Sequence, residues 1–389
     1  MNGRRKTKTI AGSLALLFLV VLPLVSGQTS FQPIEPEPSR DRRLLKIDMR
    51  KYGYKPHGSG ADDWLSLAFT ESNDILVAWT TADALYSRTQ IRSTTLVPSH
   101  LRTLVLNART GQKEHGGEWP SRYLQATITP VGKESFLICA GDEIRLLSND
   151  FTTAREQVLS APTDCRRMRV SPSRRSFSFS TSTKSGANNN LFDAESFQPL
   201  AEWSSREASN VDFTDSLLVG ICRPDFDLCK REFNQRWQPI HPAGSEKSLK
   251  SFRAQGPFLV NDSTLTIAKG GEMTVVTLEG AMLFRVNLPK KFSFARIATS
   301  TGGKRFAYVE TELRGSKSLD MSSDCDDHIV VYDLDQMKAI YTRKVKGGSP
   351  WIPPFEEHRN RIALSSDGTL LAILDSGIIE VYQVLVPKS

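Results

Sequence analysis

The stretch RIALSSDGTLLAILDSGIIEVYQV, residues 361–384, decides the fold. A short apolar segment leads into Ser365-Ser366-Asp367-Gly368-Thr369, and the continuous apolar run Leu370 to Leu374 follows. Asp375-Ser376-Gly377 breaks that run, and Ile378 to Val384 then alternates between apolar and polar residues. Ser, Asp and Gly turn the chain because their side chains bond nearby backbone or tolerate left-handed φ. The runs between them have the composition and length of strands. Three strands joined by two tight turns form an antiparallel unit that cannot bury its apolar faces alone.

The unit recurs along the chain. It reads RIATSTGGKRFAYVET around Ser300, RMRVSPSRRSFSFSTS around Ser171, ATITPVGKESFLICAG around Thr129 and SLAFTESNDILVAWTT around Thr70. NVDFTDSLLVGIC around Thr214 is a shortened copy, and LVNDSTLTIA around Val260 matches through Asp262-Ser263-Thr264-Leu265. The seven anchors lie 59, 42, 43, 46, 40 and 65 residues apart. The four regular intervals fit the ~40–45-residue period of a four-stranded propeller blade. Insertions at Tyr86 to Leu101 and Gly315 to His328 account for the two long ones. Each repeat carries a later strand ending in a polar turn, as in TLVLNARTGQ (103–112), EIRLLSNDFTT (143–153) and IVVYDLDQM (329–337). Asp335 to Val345 alone could pass as helix, and its place after a turn predicts strand instead. The reading is all-β: a seven-bladed β-propeller over residues 44–389. Its last repeat is one strand short, so Leu44 to Met49 is expected to close the ring as the outer strand of blade seven, since an unpaired edge is a liability.

This pattern resembles the WD40-like and related bacterial seven-bladed β-propellers across roughly residues 44 to 387. Val331-Tyr332-Asp333-Leu334 stands where that family often carries Trp-Asp, while no repeat has its Gly-His pair. The resemblance implies a binding scaffold and selects no subfamily.

Residues 1–27 read as a secretory signal peptide. Arg4, Arg5, Lys6 and Lys8 precede an apolar run from Ile10 to Val25, and Val25-Ser26-Gly27 offers small residues for cleavage before Gln28. The run is too short to span a bilayer and breaks at Pro23. Residues 28–43 (QTSFQPIEPEPSRDRR) have three prolines and little to bury, which predicts a flexible tether. The formal charge of +7 falls to +3 without the leader's four basic residues. That excess is too small to argue for nucleic acid. The expected location is outside the cytoplasm, periplasmic or extracellular, with no membrane span in the mature chain.

Five cysteines leave an odd thiol in an exported chain. Cys222 and Cys229 flank a turn-like run and are expected to pair across a hairpin as a disulfide. The expected connections from an outer strand to the next inner strand share one face. They are Pro56 to Trp64, Glu114 to Arg122, Ser160 to Arg167, Ser204 to Asn210, His241 to Ser248, Leu288 to Ser293 and Lys346 to Arg361. On them His57, His115 and His358 are the one candidate metal trio, although exposed histidines are ordinarily just solvated. Trp119, Arg122, Trp351, Phe355 and Arg361 form a candidate partner-binding rim, because aromatic and Arg residues gather at contact surfaces. Arg167, Arg296 and Arg361 each lie four residues before an anchor, where they could face the central channel and draw an anion. No cofactor is expected. The sequence therefore reads as a non-enzymatic scaffold for a protein or envelope ligand. The alternative is a propeller enzyme of lactonase, lyase or quinoprotein-dehydrogenase type, with its site at the channel mouth.

Overall fold

Six of the seven anchors sit directly after the first strand of a four-stranded antiparallel sheet, and a hydrogen bond explains why they are mostly Ser or Thr. The Ser365 hydroxyl accepts the Leu370 amide at 2.9 Å, Ser300 that of Arg305 at 3.2 Å, and Ser171 that of Ser176 at 3.2 Å. Thr70 and Thr214 do the same for Asp74 and Leu217. Their hydroxyls satisfy an amide that the tight turn removes from the ladder. Val260 has no hydroxyl, and the Asn261 side chain accepts the Ser263 amide in its place. The repeat at Thr129 is offset: Thr129 lies inside its strand, and Gly132 opens the turn.

The computed structural model describes residues 30–31, 42–55, 65–82, 96–123, 127–140, 143–158, 168–183, 186–223, 225, 227–249, 255–269, 272–287, 292–312, 326–345, 362–375 and 377–384. Two strands, β1 (Ser30–Phe31) and β2 (Arg43–Asp48), precede the repeats. Blade one comprises β3 (Leu65–Phe69), β4 (Ile75–Ala82), β5 (Leu96–Leu106) and β6 (Lys113–Tyr123). Blade two holds β7 (Thr127–Val131), β8 (Ser135–Ala140), β9 (Glu143–Ser148) and β10 (Thr153–Val158). Blade three runs β11 (Arg169–Val170), β12 (Ser176–Thr183), β13 (Gly186–Asp193) and β14 (Pro199–Ser204). In blade four are β15 (Ala208–Phe213), β16 (Leu217–Cys222), β17 (Asp227–Glu232) and β18 (Gln238–Pro239). Blade five has β19 (Gln255–Leu259), β20 (Thr264–Lys269), β21 (Glu272–Thr277) and β22 (Met282–Asn287). Blade six is β23 (Phe292–Thr299), β24 (Arg305–Glu312), β25 (Asp326–Asp333) and β26 (Lys338–Val345). Blade seven has β27 (Ile362–Leu364), β28 (Leu370–Asp375) and β29 (Ile378–Gln383), with β2 antiparallel to β29 as its fourth, outer strand.

Seven apolar clusters hold these sheets together, each shared by two successive blades. Leu76 and Val105 meet Phe136 and Phe151 between blades one and two. Leu137 and Ile144 then meet Phe177 and Phe179, and Leu191 and Trp203 meet Phe213 and Leu218. Next come Val219 and Leu228 with Leu259 and Val276, and Met273 and Phe284 with Phe306 and Tyr308. Val331 and Tyr341 meet Leu371 and Tyr382. The seventh cluster joins Ala372 and Val381 of blade seven to Leu67 and Ile75 of blade one, so the ring closes. The chain is a seven-bladed β-propeller. Each fully buried Leu, Ile or Phe contributes about 1.5–3 kcal/mol, so these interfaces hold the ring together.

The β2 strand joins that seventh cluster through Ile47, while Met49, just beyond it, is fully buried. Arg43 meets Glu380 of β29 at 2.7 Å, a half-exposed ion pair worth little. Burial is the stronger of the two contributions.

Three sequence expectations change. Glu114 to Arg122 is no connection: it lies within β6, which pairs with β5 throughout. Leu96 to Leu101, read as insertion, lengthens β5 to match it. Within the expected tether, Ser30 and Phe31 pair in parallel with Arg285 and Val286 of β22, giving blade five a fifth strand. Asp335 to Val345 contains β26, as its position after a turn required.

Candidate functional site

The two ends of the ring carry different connections. At one end every blade turns tightly between its first and second strands, and most again between the third and fourth. The other end carries the second-to-third and outer-to-inner connections.

Polar groups at the turn end are consumed locally and across blades. Asp215 of blade four accepts the hydroxyls of Ser173 at 2.7 Å, Ser171 at 3.1 Å and Ser176 at 3.2 Å, all from blade three. Asn261 of blade five donates to the Gly303 carbonyl of blade six at 2.8 Å. The Gly302 amide of blade six donates to the Ser366 carbonyl of blade seven at 3.1 Å. Arg305 reaches the Gly368 carbonyl at 3.2 Å while its Nε holds the buried Asp333 at 3.0 Å. The Ser366 amide donates to Asn73 of blade one at 2.8 Å. Between blades four and five, Asp212 accepts the Leu259 amide at 2.8 Å.

Blade two is bridged differently. Its first turn has only three residues between the paired Val131 and Ser135, against five in blade one and six in blade three. Arg174, at φ +62°, extends from the longer blade-three turn. Its carbonyl accepts the Gly132 amide at 2.8 Å, and its guanidinium donates to the Phe69 carbonyl of blade one at 3.0 Å. Arg174 thus joins three blades, with Nη1 buried and unpartnered. Burial lowers its pKa, and Glu71 nearby partly offsets that.

Several carboxylates record this environment. Burial raises the pKa of Asp74, and Glu114 adds to the rise against the Ser72 hydroxyl. Asp262 is raised by burial and then by the charge of Asp215. Burial would also raise Asp367, but the Ser365 and Thr369 donors outweigh it and the pKa falls. Exposed Asp150, bonded by the Ser148 and Thr152 hydroxyls, drops to about 2. These are turn carboxylates in structural roles.

Of the ligand-contacting candidates singled out from sequence, Trp119 and His115 have their side chains among the described residues. Trp119 sits on β6, where its ring folds over Gly117 and meets Phe151 of blade two edge-on at 5.7 Å. It packs between blades, which corrects its assignment to a rim loop. His115 shares that strand, 5.3 Å from Phe151. It therefore belongs to blade one's outer strand and not to a connecting loop. Among the described residues no group of three His, Cys, Asp or Glu could hold a metal. Arg122 and Arg296 have their backbones in β6 and β23, and their side chains lie outside the described residues. His57, Arg167, Trp351, Phe355, His358 and Arg361 also lie outside them.

The His241–Ser248 connection leaves the expected face. The Ala243 amide donates to the Gly280 carbonyl of blade five at 3.3 Å. Gly280 has φ +88°, and a Cβ there would stand 1.6 Å from the His241 carbonyl oxygen. Only glycine admits this approach.

Cys222 and Cys229 form a disulfide with Cα atoms 5.9 Å apart. The register sets Cys222 opposite Asp227 and Gly220 opposite Cys229, so the bridge runs diagonally rather than straight across. Cys139 is disulfide-bonded as well.

Sequence reasoning missed the turn-end network around Arg174 and Asp215. Its signals were the short Gly132-Lys133-Glu134 turn and the adjacent Arg174-Arg175 pair. No family model matches the sequence, and neither does any curated protein. Among solved structures, a chain of the mitotic checkpoint complex is similar, with a TM-score of 0.48 and 13% identity over 92% of this chain and 99% of that one. The C-terminal WD40 domain of Sif2 has a TM-score of 0.48 and 10% identity over 90% of this chain and 99% of its own. These likenesses concern the fold alone and assign neither partner nor activity. Six four-stranded sheets and a five-stranded one make this chain a seven-bladed β-propeller. No helix among the described residues is long and apolar enough to cross a membrane.

Proposed function

We propose that the chain is an exported, non-enzymatic propeller scaffold that binds a protein or envelope ligand through its connection-bearing end. The observation behind this reading is the asymmetry of the two ends. Turn-end hydroxyls and carboxylates pair with one another and with neighbouring blades, which leaves them little to offer a ligand. Partner recognition then falls to the other end, where Trp351 and Phe355 supply anchors and Arg361 orients polar contacts. Arg122, Arg167 and Arg296 extend that set. Export is supported by the basic-then-apolar leader and by the disulfides at Cys222–Cys229 and Cys139, because such bonds persist in oxidising compartments. The enzymatic alternative relied on a histidine trio drawn from loops, and His115 lies on the strand β6 instead.

The test is a double substitution, Trp351→Ala with Phe355→Ala, in the chain beginning at Gln28. Partner capture from the native envelope should fall while the melting temperature holds. Unchanged capture with a lowered melting temperature makes the aromatics packing residues and ends this assignment.

A further inference from the structure

The outer edge of blade five is the one sheet edge among the described residues that carries an added strand. Ser30 pairs with Arg285 and Phe31 with Val286, in parallel. The accepting strand, Met-Leu-Phe-Arg-Val-Asn, has one charged residue in six, and Met282 is exposed. Flat edges of low charge recruit strands unless something covers them. An extended segment added to such an edge gains affinity from main-chain hydrogen bonds, whatever its side chains.

We propose that this edge is a strand-addition site through which two copies of the chain exchange their N-terminal segments. The occupant is fixed by complementarity already present: the strand and its acceptor belong to one sequence, so a second copy brings the matching segment. Chain length supplies the second argument. Phe31 on blade five and Arg43 on blade seven stand two places apart around the ring, with only residues 32–42 between them. Three spacings of ~4.8 Å beyond the inner strand place an outer strand on the order of 20 Å from the axis. Following the rim past blade six then takes roughly 35 Å. Twelve steps reach ~40–43 Å when fully extended, and ~37 Å in the polyproline geometry that Pro33, Pro36 and Pro38 favour. Docking within one chain leaves only a few ångströms of slack in the polyproline geometry, whereas the β22 edge of a second copy can be approached without following the rim. Tight hinges of this kind promote swapping.

The test uses the chain beginning at Gln28 with Ser30→Cys and Arg285→Cys, the new bond being identified by peptide mapping. After mild oxidation, a non-reducing gel should show a bond joining two chains. Light scattering of the unmodified chain should show a dimer fraction that rises with concentration. A chain beginning at Ile34 keeps β2 and should remain monomeric. A bond formed only within single chains, no bond at all, or a dimer that survives removal of residues 28–33 would each overturn the proposal.

Discussion

Replacing Arg174 tests whether the turn end is held by that side chain. Arg174→Ala removes a charge-assisted donor from the Phe69 carbonyl, and losing such a bond costs about 1.5–3 kcal/mol. Opposing this, the variant no longer has to hold a guanidinium out of water, and burial already disfavours that charge. Removing a buried charge can be neutral or stabilising when its pairing is poor. Nη1 has no partner, so the relief is real. The donor to Phe69 and the aliphatic stem across the short blade-two turn should outweigh it, for a net loss of about 2 kcal/mol. Backbone geometry offers an internal control. At φ +62° a side chain costs roughly 1–2 kcal/mol relative to a right-handed residue, and glycine escapes most of that. Arg174→Gly should therefore lose about 1 kcal/mol less than Arg174→Ala. In a chain of this size 1 kcal/mol moves the melting temperature by about 2 °C. Calorimetry should then show the alanine variant about 4 °C down and the glycine variant about 2 °C down. An alanine variant as stable as wild type would refute the bridging role, and a glycine variant below alanine would refute the backbone argument.

Three further outcomes are expected. Gly280→Ala sets a Cβ 1.6 Å from the His241 carbonyl oxygen, so it should lower the melting temperature and increase proteolysis within 241–248; unchanged cleavage would mean the segment is not held there. Removing Cys222 and Cys229 together opens a loop of sequence separation 7, worth about 2.5 kcal/mol by loop-closure entropy, and urea midpoints of the oxidised wild type and the double variant should differ accordingly. The folded-state pKa of Asp74 is raised, so its protonated form favours the fold; stability is highest below the ordinary carboxylate range and falls as pH rises through the raised value. Asp74→Asn should consequently be more stable than wild type at pH 7 and equal to it near pH 3, in paired thermal melts at the two pH values.

The architecture was legible because its determinants are local and repeated. A buried hydroxyl that must accept an amide two to five residues away leaves Ser or Thr at a recurring place, and Thr70, Ser171, Thr214, Ser300 and Ser365 all obey it. Blade two hid its phase because its turn is too short to need that hydroxyl, and Thr129 was a plausible substitute two strand positions early. Glu114 to Arg122 misled for another reason. Gly116, Gly117 and Pro120 have loop composition, yet Gly117 is required in β6 so that the Trp119 ring can fold against it. Contacts between chain-distant groups left no trace of that kind, and the reach of Arg174 from blade three to Phe69 was invisible in either repeat alone.

The same distinction bears on where specificity can reside. A turn whose own side chains satisfy its backbone is fixed in shape: the Asp367 carboxylate accepts from Ser365 and Thr369, and substituting one of these perturbs the turn before any ligand. Such a surface tolerates little change in sequence without loss of stability. Connections between strands carry no such obligation, because the seven inter-blade clusters stabilise the ring whatever the length of the segments joining them. The 59- and 65-residue repeats show this directly, since blades one and six still pair four strands despite their added residues. A propeller that changes its partner without weakening its ring would vary at the connection end, which is the physical reason for placing recognition there.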